Sequence, residues 1–234
     1  MKKMIAVLLL MMLACFSVSA FAEQEVMVGD IVFFGSYEID NNLDNGREPI
    51  EWIVLDVRDG KALLLSKYCL DAKAYHNYNK EKVDITWEDC TLRAWLNGAF
   101  LESSFTEYEK KAILLTDVDN SDAQGNSDWD TTGGNDTQDY VFLLSHHEAF
   151  DVYFSSDEDR LCIQTEYAVA NGAWVSTSDT DFKTAGAWWL RSPGRYQNYA
   201  AYVYSYGSRD NYHIYYDYFA VRPALWVNLE SDPF

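Results

Sequence analysis

Apolar residues alternate with polar ones at both ends of this chain and recur at helical spacing in its middle. From residue 26, VMVGDIVFFGSYEI predicts a strand and turn punctuated by Gly29 and Gly35. PIEWIVLDVRDGKALLLSKYCL predicts a hairpin, because apolar-rich runs over 50 to 57 and 61 to 67 flank Asp59-Gly60, a two-residue hairpin signal. TWEDCTLRAWLNGAF predicts a helix capped by Thr86 or Asp89, with Leu92, Trp95 and Leu96 on its buried face. SSFTEYEKKAILL predicts a second helix starting near Ser104 or Thr106. Residues 140 to 145, YVFLLS, are strand-like, and HHEAFDVYF is helix-like, with the adjacent His146 and His147 rings pointing in different directions at a helix start. In the last third, GAWWLR predicts a buried strand, SPG a turn, AAYVYSYG an alternating strand, and VRPALWVNL a closing strand with Pro223 at an edge or bend. Strands at both ends with helices between them predict an α+β domain whose termini come together.

The first residues change the picture of where this domain works. MKK, the apolar MIAVLLLMML and the small-residue AFA before Glu23 form the pattern of a secretory signal, with cleavage expected after Ala22. A lipoprotein signal at Cys15 is the rival, which Met12 and the apolar residues after Cys15 fit poorly. Residues 23 to 234 then form one exported domain. The apolar core of the leader is too short to span a membrane and no later run is longer, so no membrane insertion is expected.

Losing Lys2 and Lys3 takes the formal charge from -19 to -21, which repels nucleic acid and anionic lipid surfaces and excludes both as partners. Three cysteines remain, Cys69, Cys90 and Cys162, an odd number that leaves at least one thiol unpaired. Neither they nor the histidines have metal-ligand spacing, and no cofactor motif stands out. A disulfide between two of the three and three small buried side chains are both open readings. Residues 117 to 139 carry seven aspartates and no Lys or Arg, which predicts a long acidic loop. Such a loop suits calcium, but Asp122 stands where an EF-hand requires Gly, and a solvated insertion is the plainer reading.

Nine of the seventeen tyrosines fall within residues 195 to 219, RYQNYAAYVYSYGSRDNYHIYYDYF. Tyr supplies a large rigid face with a polar tip, and Ser and Asn add adaptable hydrogen bonds, the composition of a recognition surface. Period two places Tyr202, Tyr204 and Tyr206 on one face and Ala201, Val203 and Ser205 on the other. After Gly207 no period persists, which predicts loop with Ile214 as the inward anchor. Burying so many hydroxyls and charges would require a partner for each, so an exposed surface is expected over a tyrosine-packed core.

The codons add a further pattern. Of these 25 residues only Gln197 is unreachable by replacing the adenines of an asparagine codon. Lys, Glu, Met and Trp, which make up 31 of the other 187 residues after Ala22, are absent from the segment.

WWLRSPG, AAYV, Gly207 and VRPALWV, with PIEWIVLD, LLLSKYCLD, TWEDCTLRAWLN and VFLLSHHEAF upstream, resemble a family of uncharacterised exported bacterial domains. The tyrosine-rich segment separately resembles the variable region of retroelement-diversified proteins, which rewrite chosen codons on a C-type-lectin-like fold. That resemblance implies a fixed framework of Trp188, Trp189, Leu190, Arg191, Ser192, Pro193, Gly194, Ala200, Ala201, Val203, Gly207, Ile214, Val221, Arg222 and Pro223. It implies a ligand-facing set of Arg195, Tyr196, Asn198, Tyr199, Tyr202, Tyr204, Tyr206, Ser208, Arg209, Asp210, Tyr212, His213, Tyr215, Tyr216, Asp217, Tyr218 and Phe219, with Gln197 departing from the pattern.

The expected function is therefore non-catalytic binding of a protein or glycan by a monomer. Two alternatives remain open. One is an enzyme on the related fold of formylglycine-generating oxidases, for which Cys69, Cys90 and Cys162 show no reactive motif. The other is a structural envelope module that self-associates through its tyrosines.

Overall fold

The computed structural model describes residues 25–77, 83–176 and 185–234; the leader expected over residues 1–22 lies outside them. In chain order the strands are β1 (Ile31–Tyr37), β2 (Glu48–Arg58), β3 (Lys61–Ser66), β4 (Asp71–Ala72), β5 (Thr116–Val118), β6 (Thr137–Asp139), β7 (Trp188–Pro193), β8 (Tyr199–Val203), β9 (Arg209–His213), β10 (Ala220–Val221) and β11 (Ala224–Asn228). The helices are α1 (Thr91–Trp95), α2 (Leu101–Ser104), α3 (Glu107–Ala112), α4 (Asp157–Arg160) and α5 (Glu166–Ala170), with π-helical turns over Leu96–Phe100 and Glu148–Val152. Helices and strands are mixed, as expected, with most of the regular structure in sheets.

The first sheet is antiparallel in the order β1-β2-β3-β11, so the first and last strands of the chain lie in one layer. Asp59 and Gly60 both take positive φ, 51° and 70°, as a two-residue hairpin turn requires, and Arg58 pairs with Lys61 across it. β3 lies between β2 and β11 and buries every residue from Ala62 to Ser66. The second sheet runs β4-β10-β7-β8-β9, with β7, buried along its whole length, at the centre. Pro223 stands at the corner where the chain leaves β10 in one sheet and enters β11 in the other, a place that asks no ladder donor of it. The neighbouring Arg222, fully buried, donates to the Ser66 carbonyl at 3.0 Å and lies over the Trp188 ring, joining the two sheets.

Several elements differ from expectation. The first helix begins at Thr91 and is capped by Cys90, whose Sγ accepts from the Arg93 N–H, because Trp87 to Cys90 first close a turn of their own. Its buried stripe is Leu92, Leu96 and Phe100, with Trp95 half-buried under the Lys73 ammonium. The second helix keeps the expected Thr106 cap, with Glu109 completing a capping box. Residues 140 to 145 form no strand beyond a single bridge from Phe142 to Ala224. Side chains take the place of the ladder there: Asn97 accepts from the N–H groups of Tyr140 and Val141 and donates to the Val141 carbonyl, and Arg191 donates to the Leu143 carbonyl. The acidic loop is closed by the β5–β6 ribbon, and Asn120, Asn126, Thr137 and Asp139 within it are buried, so it is anchored rather than wholly solvated.

Candidate functional site

β8 ends at Val203, earlier than the alternating pattern predicts, because Tyr204 to Gly207 turn the chain. Gly207 takes a φ of 88°, and a Cβ there would collide with the Asp157 backbone, so both the backbone angle and the close approach require glycine. The turn leads into β9, which pairs antiparallel with β8 from Tyr199–His213 to Val203–Arg209. The loop expected after Gly207 is therefore a strand in its first half. As the edge strand of its sheet it buries no full face, which is why no period marks it in the sequence.

The two strands and the residues after them gather the aromatic rings. All nine tyrosines from 196 to 218 belong to one continuous set of ring contacts. From Tyr196 it passes through Tyr199, His213, Tyr215, Tyr216, Tyr218 and Phe219 to Tyr202, Tyr204 and Tyr206, with centroid separations between 4.2 and 6.1 Å. Beneath this set lie Trp189, whose ring centroid is 4.1 Å from that of Phe219, and Ile214, the expected inward anchor, fully buried.

Every framework position named above is buried. Of the expected ligand-facing set, Arg195, Tyr196, Tyr206, Arg209, Asp210, Tyr212 and Asp217 are exposed. Asn198, Tyr199, Tyr204, Ser208, His213, Tyr215, Tyr216 and Tyr218 are half-buried. Tyr202 and Phe219 are the corrections: each is only 4% exposed, because Tyr202 points inward from β8 against Trp189 and Phe219 packs on the same indole. Gln197 is structural, its amide donating to the carbonyls of Ile85 and Thr132 and accepting from the Thr132 N–H. Its departure from the codon pattern thus falls on a residue that ties the segment to the rest of the domain.

The rings enclose a hollow of about 300 Å³ walled by Trp174, Tyr202, Tyr204, Tyr212, Tyr218 and Phe219, with Ala187 at its base. Trp174, 39% exposed, was not in the expected set; it arrives from the turn after α5, and nothing local in NGAWV distinguishes it from a core tryptophan. A second hollow of about 340 Å³ places Tyr215 and Asp217 beside Lys73 and Trp95. The Tyr202 hydroxyl donates to Asp210 at 3.2 Å, and burial, reinforced by that carboxylate, pushes its pKa up. Tyr218 is pushed up to about 12 by burial and by Tyr212, so these phenols remain neutral near pH 7.

Among the other candidates, Cys69 and Cys162 come within hydrogen-bond reach of each other; burial raises the Cys69 thiol, while that of Cys162 is lowered, against the effect of burial, by the contact with Cys69 and the nearby Arg222. Cys69, Cys90 and Cys162 are all free and buried, and burial raises the Cys90 thiol to about 12. His146 opens its helical turn as expected, stacked on Phe150 at 4.8 Å with Nε2 3.2 Å from the Asn126 amide, while His147 faces outward to Asp151. Among the described residues, the carboxylates placed to share a metal are Glu38 and Asp40 after β1 and Glu48 at the start of β2, rather than any in the acidic loop.

Burial, with Arg209 adding to it, lowers the His146 pKa to about 4. The unfolded chain therefore takes up this proton first as pH falls, and stability is lost between about pH 6.5 and pH 4. The expected loss is about 2 kcal/mol by pH 4.5. Urea unfolding at pH 7 and pH 4.5 checks it, because His146→Gln, which keeps a partner for Asn126, should lose that much less on acidification.

A family described as "Domain of unknown function (DUF6273)" matches residues 59–229. No curated protein and no solved structure matches the chain. No helix among the described residues is long and apolar enough to cross a membrane.

Proposed function

The chain belongs to the DUF6273 family, and from that premise we propose that it is an exported, non-catalytic recognition protein whose tyrosine-rich face grips a protein or glycan. One observation carries this reading: nine tyrosines in a single connected network, Tyr202 buried with Phe219 as a floor, five half-buried and three exposed, stand on a framework buried at every position. A rigid floor lowers the entropy cost of presenting the exposed rings, and aromatic anchors of this kind dominate interface energetics. Tyr196 and Tyr206 are 57% and 52% exposed, an apolar area for which intramolecular packing offers no use. The division between buried framework and accessible tyrosines is also what a C-type-lectin-like variable protein needs, since residues can change on the surface without disturbing the core. We take the fold to be of that type and the segment to be diversified.

Binding to protein and glycan arrays, compared between wild type and a Tyr196→Ser/Tyr206→Ser variant, tests the reading. The expected result is a saturable ligand lost in the variant at an unchanged melting temperature. Tyr202→Ser provides the contrast, because removing a ring packed on Trp189 and Phe219 should cost about 3 kcal/mol of stability. A wild type that binds nothing on either array, or a ligand retained by the double variant, overturns the proposal. For diversification, the locus should hold a near-copy of codons 186 to 229 that carries adenine wherever the two differ; a locus without one removes that part of the reading.

A further inference from the structure

The hollow among the tyrosines is narrower in its chemistry than the face around it. Among the described residues, its walls are the rings of Trp174, Tyr202, Tyr204, Tyr212, Tyr218 and Phe219, and no Lys, Arg, His or carboxylate lines it. Neighbouring rings meet at 50° for Trp174 and Tyr204, 40° for Tyr202 and Tyr204, 56° for Tyr202 and Phe219, and 46° for Tyr212 and Phe219. Tyr218 and Phe219 stack on each other at 29°, while the other walls lie tilted in different planes around the same volume. At about 300 Å³ that volume is at the small end of ligand sites and suits a head group or the tip of a side chain.

Charge selects among the groups that would fit. The chain carries a formal charge of -19, and the exposed carboxylate of Asp210 accepts from the Tyr202 hydroxyl at 3.2 Å. Aromatic faces, phenol dipoles and an acidic surround all favour a cation and oppose an anion. Hydrogen bonding selects the kind of cation. A primary ammonium brings three N–H donors that need acceptors, whereas a fully methylated nitrogen brings none and loses little when water is stripped from it. The described walls offer more ring face than phenol oxygen, so a cation that needs no acceptor suits them better than one that needs three.

From this we infer that the hollow is an aromatic cage for a quaternary or methylated ammonium group, carried either by a small molecule or by a larger ligand of the tyrosine face. The inference rests on the reading of that face as a recognition surface and gives its ligand a chemical class.

Calorimetric titration of the intact protein with choline and with its uncharged isostere 3,3-dimethylbutan-1-ol is the test. Choline should bind saturably and about tenfold more tightly than the isostere, the factor expected when a cation–π contribution of about 1.4 kcal/mol is present in one ligand and absent in the other. Trp174→Leu keeps an apolar side chain at a partly exposed position, so it should weaken choline severalfold, leave the isostere nearly unchanged and leave the melting temperature alone. Equal affinity for the two probes, no saturable binding of choline, or an equal loss of both in Trp174→Leu overturns the cage. The two proposals fail separately. An array ligand lost in the Tyr196/Tyr206 variant but indifferent to choline sinks the cage alone, and choline binding with no array ligand sinks only the macromolecular reading.

Discussion

Glu148→Ala is expected to lower the free energy of unfolding by about 3–5 kcal/mol, because it strands a buried guanidinium. Arg191 is 2% exposed and reaches Glu148 with both terminal nitrogens, through Nη1 to Oε2 and through Nη2 to Oε1, the latter at 3.0 Å. The same guanidinium donates to the carbonyls of Leu143 and Asp119, so one side chain of β7 holds the 140–145 segment and the start of the acidic loop. Glu148 also accepts from the Ser145 N–H at the start of its helical turn. Removing the carboxylate therefore leaves a charge without its partner in a place water reaches poorly. A shift in the urea midpoint at an unchanged slope is the measurement. The double variant Glu148→Ala/Arg191→Met should recover part of the loss, since it removes the charge as well, but not all, because two carbonyls stay without their donor. A cost below about 1 kcal/mol for the single variant would mean that the pair behaves as a surface ion pair.

Asp139→Ala should cost about 3 kcal/mol by a related route. Asp139 is fully buried and accepts four hydrogen bonds: from the Trp87 indole at 2.9 Å, Arg93 Nε at 2.6 Å, Thr137 Oγ1 at 2.7 Å and Asn97 Nδ2 at 3.3 Å. It is the last residue of the acidic loop and the point where that loop meets α1. Asp139→Asn should cost less than Asp139→Ala, since one oxygen still accepts, while the amide turns donors toward donors. Chemical denaturation of both variants checks the order, and near-ultraviolet circular dichroism should report the altered surroundings of Trp87. An Asp139→Ala protein as stable as wild type would show that the loop is held elsewhere.

Asp139 also shows where reading the sequence stops. Seven aspartates between residues 117 and 139 look alike in composition, yet only Asp139 is fully buried. What separates it is the arrival of Arg93 and Asn97 from a distant helical segment and of Trp87 from the turn before it, which no local pattern carries. Trp174 joined the aromatic hollow, and the 140–145 segment lost its ladder, for the same reason.

What the sequence determined by itself is what neighbouring residues decide between them. The Asp59-Gly60 turn follows from the backbone angles those residues tolerate, the α3 cap from a hydroxyl and a carboxylate three positions apart, and the buried framework on either side of the tyrosines from largely apolar runs. Tertiary structure alone decided that Tyr202 and Phe219 are the floor of the face and not its surface, and that the unpatterned stretch after Gly207 is an edge strand. A tyrosine carries both an apolar ring and a polar tip, so its own chemistry permits either side, and only the position of Trp189 beneath the sheet settles which rings turn inward.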